Sequence, residues 1–124
     1  ATRLDELNDY NIICPMIDAR RMEVFTALYN IDLVEQNPPK AIILDENSFS
    51  EMLSKNKVLF CGNGNKKLQK IITSPNALFS NTVANASHFA KLSYEYFINK
   101  EFASLAYTDP LYIKEFYSSA AKGI

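Results

Sequence analysis

Short apolar runs separated by polar breaks occupy the first two thirds of the chain. Runs rich in β-branched and aromatic residues are typical of strands, and they fall at 12–17, 23–29, 41–44, 58–61 and 77–80. Helices are predicted at 48–55, 66–73 and 84–99. Because strands come first and then alternate with helices, the pattern predicts an α/β fold in which helices pack on one mixed sheet.

Prolines restrict two of these segments. Pro15 lies within the first apolar run, and proline has no N–H group to donate. That strand should therefore lie at a sheet edge, or Pro15 should face away from its neighbour. The Pro38-Pro39 pair marks 30–40 as a loop, with at most a short pairing at Leu33-Val34.

The second run should be covered on both sides, because the two-residue period gives it two largely apolar faces. One face would carry Val24, Thr26 and Leu28, and the other Phe25, Ala27 and Tyr29.

Helix signals follow the strands. Ser48 with Glu51 three residues later predicts an N-cap and a capping box for the first helix. The last and longest helix has one stripe at three- and four-residue spacing, formed by Ala86, Phe89, Ala90, Ser93, Tyr96 and Phe97.

Composition is that of one ordinary globular domain. The chain has 124 residues, 48% of them hydrophobic and 22% charged, with a net charge of -1. No basic block could neutralise many phosphates, so strong direct nucleic-acid binding is not expected. No run approaches the roughly 20 apolar residues of a membrane span, and the polar N-terminus does not resemble a secretory signal. The expected location is the cytoplasm.

Side chains with catalytic chemistry are sparse. His88 is the only histidine and is expected to be partly exposed on the last helix. Cys14 and Cys61 match no metal-ligand spacing and are expected as reduced core thiols, although a disulfide between them stays open. Asp45-Glu46 is interpreted as a helix entry rather than a metal pair. We therefore expect no catalytic residues, no metal and no cofactor.

Two turns are candidates for contacts. Gly62-Asn63-Gly64 lies between a predicted strand and a helix, where backbone amides can cradle a phosphate. The motif lacks the rest of a phosphate loop, so Gly62 and Gly64 give only a weak nucleotide-contact signal, and glycine's freedom to reverse the chain explains them as well.

The other candidate is the segment 18–23, between the first two strands. Asp18, Arg20 and Glu23 could tie this bend together by ion pairs. Alternatively, Arg20 or Arg21 presents its guanidinium fork to a carboxylate or phosphate of a partner.

The same segment carries a family resemblance. The residues in question are Asp18, Ala19, Arg20, Arg21, Met22, Glu23, Val24 and Phe25. They are similar to the signature strand pair in the second lobe of the TsaB family, glycoprotease-like proteins required to make threonylcarbamoyladenosine in tRNA. The strand-glycine-helix unit at 59–72, the helix from Ala84 and the tail at 110–114 follow in the family's order. The sequence at 16–25 resembles that of Bacteroidetes-type members of the family.

The resemblance implies a ribonuclease-H-like, actin-like ATPase fold. Residues 1–11 would then be the end of an inter-lobe helix, and 12–124 a single C-terminal lobe without the family's first lobe. It also implies a non-catalytic partner subunit that acts with TsaD and TsaE. A glycoprotease-family metallopeptidase or nucleotide-binding hydrolase is the alternative. A homodimer is also open, because a lobe on its own exposes apolar surface.

Overall fold

The computed structural model describes residues 9–114 and contains five strands and three helices within that range. In chain order these are β1 (Ile12–Asp18), β2 (Glu23–Asn30), β3 (Glu35–Ile43), α1 (Ser50–Lys55), β4 (Val58–Cys61), α2 (Asn65–Gln69), β5 (Ala77–Phe79) and α3 (Ala86–Ile98). This order confirms the predicted alternation after an initial group of strands. The expected helix end at 1–11 lies mostly outside the described residues.

The strands form one mixed sheet in the order β3-β2-β1-β4-β5. The first three strands are antiparallel neighbours, and β4 and β5 extend the sheet with parallel pairing. The α/β prediction with a mixed sheet is confirmed. Because β1 pairs antiparallel with β2 on one side and parallel with β4 on the other, the carboxyl ends of β1, β4 and β5 lie at one edge.

Pro15 lies in the central strand, so the expectation of an edge position is wrong. The β1–β2 register pairs Ile13 with Tyr29 and Met16 with Thr26, and it leaves out the two positions between them. Thr26 Oγ1 donates instead to the Pro15 carbonyl oxygen, at 2.8 Å. The buried Thr26 hydroxyl therefore satisfies the Pro15 carbonyl oxygen where the backbone pairing is interrupted.

Pro38 and Pro39 lie within β3, which corrects the prediction of a loop over 30–40. β3 is an edge strand, where the missing N–H donors of proline are tolerated. The β2–β3 pairing also shifts register between Thr26 and Leu28, next to the prolines. The two prolines indicated a loop because the sequence does not show which strand lies at the edge of the sheet.

The main core lies on the face of the sheet that α1 and α2 cover. Its buried members are Cys14, Met16, Val24, Leu44, Leu53, Val58, Phe60 and Leu68. Phe60 has its ring centroid 5.3 Å from that of Phe49 and 5.4 Å from that of Phe79. On the opposite face Ile13, Ala27 and Leu59 are buried, while Phe25 and Tyr29 are half-buried. The prediction that β2 is covered on both sides is confirmed, with the Val24 side covered more completely.

Helix α1 begins without the predicted capping box. The residue before it, Phe49, has φ 65° and no capping side chain contributes a hydrogen bond. Ser48 Oγ instead donates to Asp45 Oδ1 at 3.0 Å and accepts from the Asp45 N–H at 2.8 Å. Ser48 and Asp45 thus close the turn that precedes the helix, so Asp45 serves the helix entry, as expected.

Helix α3 has the predicted span within two residues, and its N-cap is Asn85, whose side chain accepts from the His88 N–H at 3.1 Å. None of its residues is buried, so the expectation that this helix packs on the sheet is wrong. Phe89 and Phe97, both on the predicted apolar stripe, are 74% and 64% exposed. The periodicity identified the helix and its apolar face, but it carries no information on what covers that face. His88 is half-exposed, as predicted.

Within residues 9–114, no helix combines the length and the apolar content needed to cross a bilayer.

Phe60→Ala should lower the free energy of unfolding by about 3–5 kcal/mol, because it removes a fully buried ring that joins two other aromatic side chains. Phe89→Ala is the matched control and should change it by less than about 0.5 kcal/mol. Urea denaturation followed by circular dichroism measures both. Equal losses for the two variants would contradict the core described above.

Candidate functional site

The two turns that the sequence singled out separately meet at one edge of the sheet. The bend between β1 and β2 follows the carboxyl end of β1, and the glycine turn follows that of β4, its parallel neighbour. Asn63 Oδ1 accepts from the Asp18 N–H at 2.9 Å, so a side chain of the glycine turn binds the backbone of the bend. The candidate site is therefore one unit, which we call the signature edge and define as residues 18–23 and 62–67.

Both glycines of the turn lie against β1. Gly62 has φ +89°, and a Cβ atom placed on it would lie 2.3 Å from the Met16 carbonyl oxygen. A Cβ on Gly64 would lie 3.0 Å from a methyl carbon of Val24 and 3.1 Å from the backbone of Ile17. The chain passes so close to β1 at Gly62 that there is no room for a Cβ atom. The positive φ of Gly62 is a second reason why glycine is required there.

The amides of this turn are used within the protein. Gly62 N–H donates to the Thr82 carbonyl oxygen at 2.9 Å, and Gly64 N–H donates to that of Met16 at 3.1 Å. A phosphate cradle needs N–H groups that point at the ligand. Nucleotide contact by Gly62 and Gly64 stays a prediction, and it would require these two bonds to open.

Asp18 organises the bend through its carboxylate. Oδ1 accepts from Lys67 Nζ at 2.7 Å and from the Arg20 backbone N–H at 2.9 Å. Lys67 Nζ also donates to the Glu23 carbonyl oxygen at 3.1 Å, so a lysine of α2 joins both ends of the bend. The hydrogen bond from Lys67 and then the one from the Arg20 N–H hold the pKa of Asp18 below its usual range.

The ion pairs differ from those expected in the bend. Asp18 pairs with Lys67, and Glu23 Oε2 accepts from Lys114 Nζ at 2.6 Å. Asp18 does bind Arg20, but through the backbone N–H rather than the guanidinium. The prediction that Asp18, Arg20 and Glu23 form ion pairs with one another is therefore wrong. Lysines distant in sequence neutralise both carboxylates.

Arg20 and Arg21 are the exposed residues at the tip of the bend. Their φ angles are 78° and 44°, a conformation that costs a residue with a Cβ atom about 1–2 kcal/mol. Hydrogen bonds from the Glu23 N–H to the Arg20 carbonyl and from the Ala19 N–H to the Glu23 carbonyl hold the loop closed. Among residues 9–114 neither guanidinium takes part in a salt bridge. The tip therefore presents two cations on a constrained backbone.

The remaining signature residues serve packing. Val24 is fully buried in the core and touches the glycine turn, as described above. Ala19 and Phe25 are half-buried. The signature thus divides into two exposed arginines and a supporting frame.

Other reactive groups in the described part of the chain lie away from this edge or are shielded. Both cysteines are free thiols. Cys14 is buried, with its Sγ 3.1 Å from Thr26 Oγ1, and burial raises its pKa to about 12. Burial also raises the pKa of Cys61. Within residues 9–114, no three His, Cys, Asp or Glu side chains are grouped as metal ligands.

Three partners of the bend were not identified as such from the sequence: Asn63 and Lys67 of the signature edge, and Lys114 of the tail. Had the parallel pairing of β1 with β4 been predicted, the two turns would have been placed side by side. Asn63 could then have been proposed as a hydrogen-bond partner of the bend. Lys67, two residues into α2, follows from the same placement. Nothing in the local sequence connects Lys114 with Glu23, which lie 91 positions apart.

Gly62→Ala should lower the free energy of unfolding by about 2 kcal/mol or more, because the new Cβ meets the Met16 carbonyl and alanine disfavours positive φ. Gly64→Ala should cost less, since the nearest atoms to its Cβ lie at 3.0–3.1 Å rather than 2.3 Å and Gly64 has no positive φ. Thermal unfolding of both variants provides the comparison. A smaller loss for Gly62→Ala than for Gly64→Ala would refute the close approach.

The Asp18 carboxyl should titrate below the ordinary value near 3.8, and Lys67→Met should raise its pKa. A carboxylate with a depressed pKa in the folded state stabilises the fold above its unfolded pKa. That stabilisation is lost as the pH falls through the folded pKa, so wild type should lose more stability on acidification than Lys67→Met. Carbon-detected NMR titration of Asp18 measures the pKa directly, with Lys70→Met as the control. An unchanged pKa in Lys67→Met would disprove the ion pair.

Comparison with known proteins identifies the fold. No family model matches the chain, and no curated protein matches it. Among solved structures, an uncharacterized protein with similarity to peptidase YeaZ from Pseudomonas aeruginosa superposes with a TM-score of 0.63 at 16% sequence identity. The match covers 90% of this chain and 52% of that one, so this chain spans about half its length. YeaZ is an alternative name for TsaB. The five-stranded mixed sheet of this chain thus shares the α/β fold of that YeaZ-like structure.

Proposed function

We propose that this chain acts as a partner lobe in the complex that makes threonylcarbamoyladenosine in tRNA, together with TsaD and TsaE. In this proposal the chain supplies contacts rather than catalytic groups. The bend at 18–23 is the part of the signature edge that meets a partner.

The fold supports this proposal most directly. The likeness to the YeaZ-like structure extends over 90% of the chain, although only 16% of the residues are identical. The signature at 18–25 lies on two neighbouring strands of that fold, between β1 and β2. The motif resembles a strand pair of the TsaB family, and in this chain it joins a pair of strands. The motif and the fold together are a stronger argument than either alone.

The geometry of the bend supports a contact role. Asp18 and Glu23 are neutralised by Lys67 and Lys114, so they do not compete for the arginines. Arg20 and Arg21 are exposed on a backbone that several hydrogen bonds hold in place. Because the backbone of the bend is already fixed, less backbone freedom is lost when either guanidinium binds a carboxylate, which favours a specific contact with an acidic partner surface.

Complementation tests the function as a whole. The gene that encodes this chain should restore threonylcarbamoyladenosine in a bacterial strain depleted of its own TsaB, as measured by mass spectrometry of tRNA nucleosides. Unchanged nucleoside levels, with the protein expressed and folded, would overturn the proposal.

A binding measurement tests the contact role separately. Arg20→Glu/Arg21→Glu should weaken binding to purified TsaD by at least about tenfold, since each charge-assisted hydrogen bond contributes about 1.5–3 kcal/mol. The matched control, Lys70→Glu/Lys91→Glu, reverses two exposed charges elsewhere and should bind as wild type does. If the control and the arginine variant bind equally, the bend does not meet TsaD, whatever the outcome of complementation.

The alternative is a metallopeptidase or a nucleotide hydrolase, and calorimetry tests the nucleotide hydrolase. Titration of the chain with ATP and magnesium should give no tight binding if this chain acts as a partner lobe. Micromolar binding that Gly64→Ala abolishes would favour the nucleotide hydrolase.

A further inference from the structure

An open groove lies on the core face of the sheet, between α1 and the strands β2 and β3. Its volume is about 530 Å³, which is within the range of about 300–1,000 Å³ that is typical of small-molecule sites. The walls are formed by β2 and β3 on one side and by the chain from Asn47 to Asn56 on the other.

The groove exists because α1 is short. Six residues of helix extend about 9 Å, whereas the nine residues of β3 extend about 30 Å. Helix α1 therefore covers only part of the face formed by β2 and β3. The uncovered part is the groove.

The floor of the groove is apolar and continuous with the core. Ile12, Leu28, Ile42, Phe49 and Met52 line it, and all five pack against the buried cluster. The one buried polar side chain at its base is Thr26, whose hydroxyl already donates to Pro15. The floor thus has no hydrogen-bonding group to satisfy, and it suits a hydrocarbon or aromatic body.

The rim carries an excess of positive charge. Lys40, Lys55 and Glu51 line it, and Lys55 pairs with Glu51 at 3.3 Å. Lys40 is exposed, lies directly across from Thr26 in the β2–β3 register, and forms no salt bridge among residues 9–114. An anion beside Lys40 would complete the charge balance of the rim.

We propose that this groove binds a small, soluble amphipathic anion, with its alkyl or aryl body on the apolar floor and its carboxylate held by Lys40. The carboxylate would accept a charge-assisted hydrogen bond from Lys40 Nζ, and Asn37, which also lines the groove, offers a side-chain amide as a further donor to the ligand. This site is separate from the signature edge and does not depend on the function proposed above.

The test uses decanoate as the probe, titrated into the isotopically labelled full chain and followed by two-dimensional NMR. Amide signals of Leu28, Lys40 and Met52 should shift together and saturate. Lys40→Met keeps an apolar stem and should weaken decanoate binding by about tenfold or more, the effect of losing one charge-assisted hydrogen bond. Lys70→Met, which removes an exposed charge elsewhere, should bind decanoate as wild type does.

Two further arms test the chemical class of the ligand. Decanol, which has the same chain and no charge, should bind wild type more weakly than decanoate and should not distinguish Lys40→Met from wild type. The chain should not co-float with phosphatidylglycerol vesicles. The proposal is overturned if Lys40→Met binds decanoate normally, if the shifts map to Phe89 and Phe97 of α3 instead, or if vesicles are bound in preference to the soluble anion.

Discussion

The close approach of the glycine turn to the Met16 carbonyl holds the signature edge together. Gly64 N–H binds that carbonyl, and Gly62 passes it with no room for a side chain. Once this contact is made, Asn63 reaches the Asp18 backbone and Lys67 reaches the Asp18 carboxylate. The bend that carries Arg20 and Arg21 is thus shaped from the side, by β4 and α2, and not only by its own turn.

The fold could be inferred from the sequence to the extent that its elements depend on local patterns. Four of the five strands, the three helices and the mixed α/β class follow from apolar runs and their spacing. The exceptions have a common cause. Pro15 in a central strand, Pro38-Pro39 in β3 and the uncovered α3 all depend on which elements are neighbours in space. Local propensity does not contain that information.

The candidate site shows the same division. The arginines and the frame around them could be identified from the signature, because the motif is contiguous. The partners of Asp18 and Glu23 could not, since they lie in α2 and in the tail. Local reasoning assigned these carboxylates to the nearest cations, Arg20 among them. Instead, the tertiary fold provides two lysines, so the arginines stay exposed.

The prolines of β3 have a consequence for how two copies of this chain could associate. A sheet grows across a subunit boundary only where an edge strand offers a continuous row of backbone donors and acceptors. Pro38 and Pro39 interrupt the row of backbone donors along β3, and the other edge strand, β5, is three residues long. A homodimer would therefore be built from side-chain contacts between faces or helices, not from one sheet running through both subunits. In such an assembly the affinity would depend on the apolar area buried between the subunits and on their charges. It would not depend on one fixed register of strand pairing.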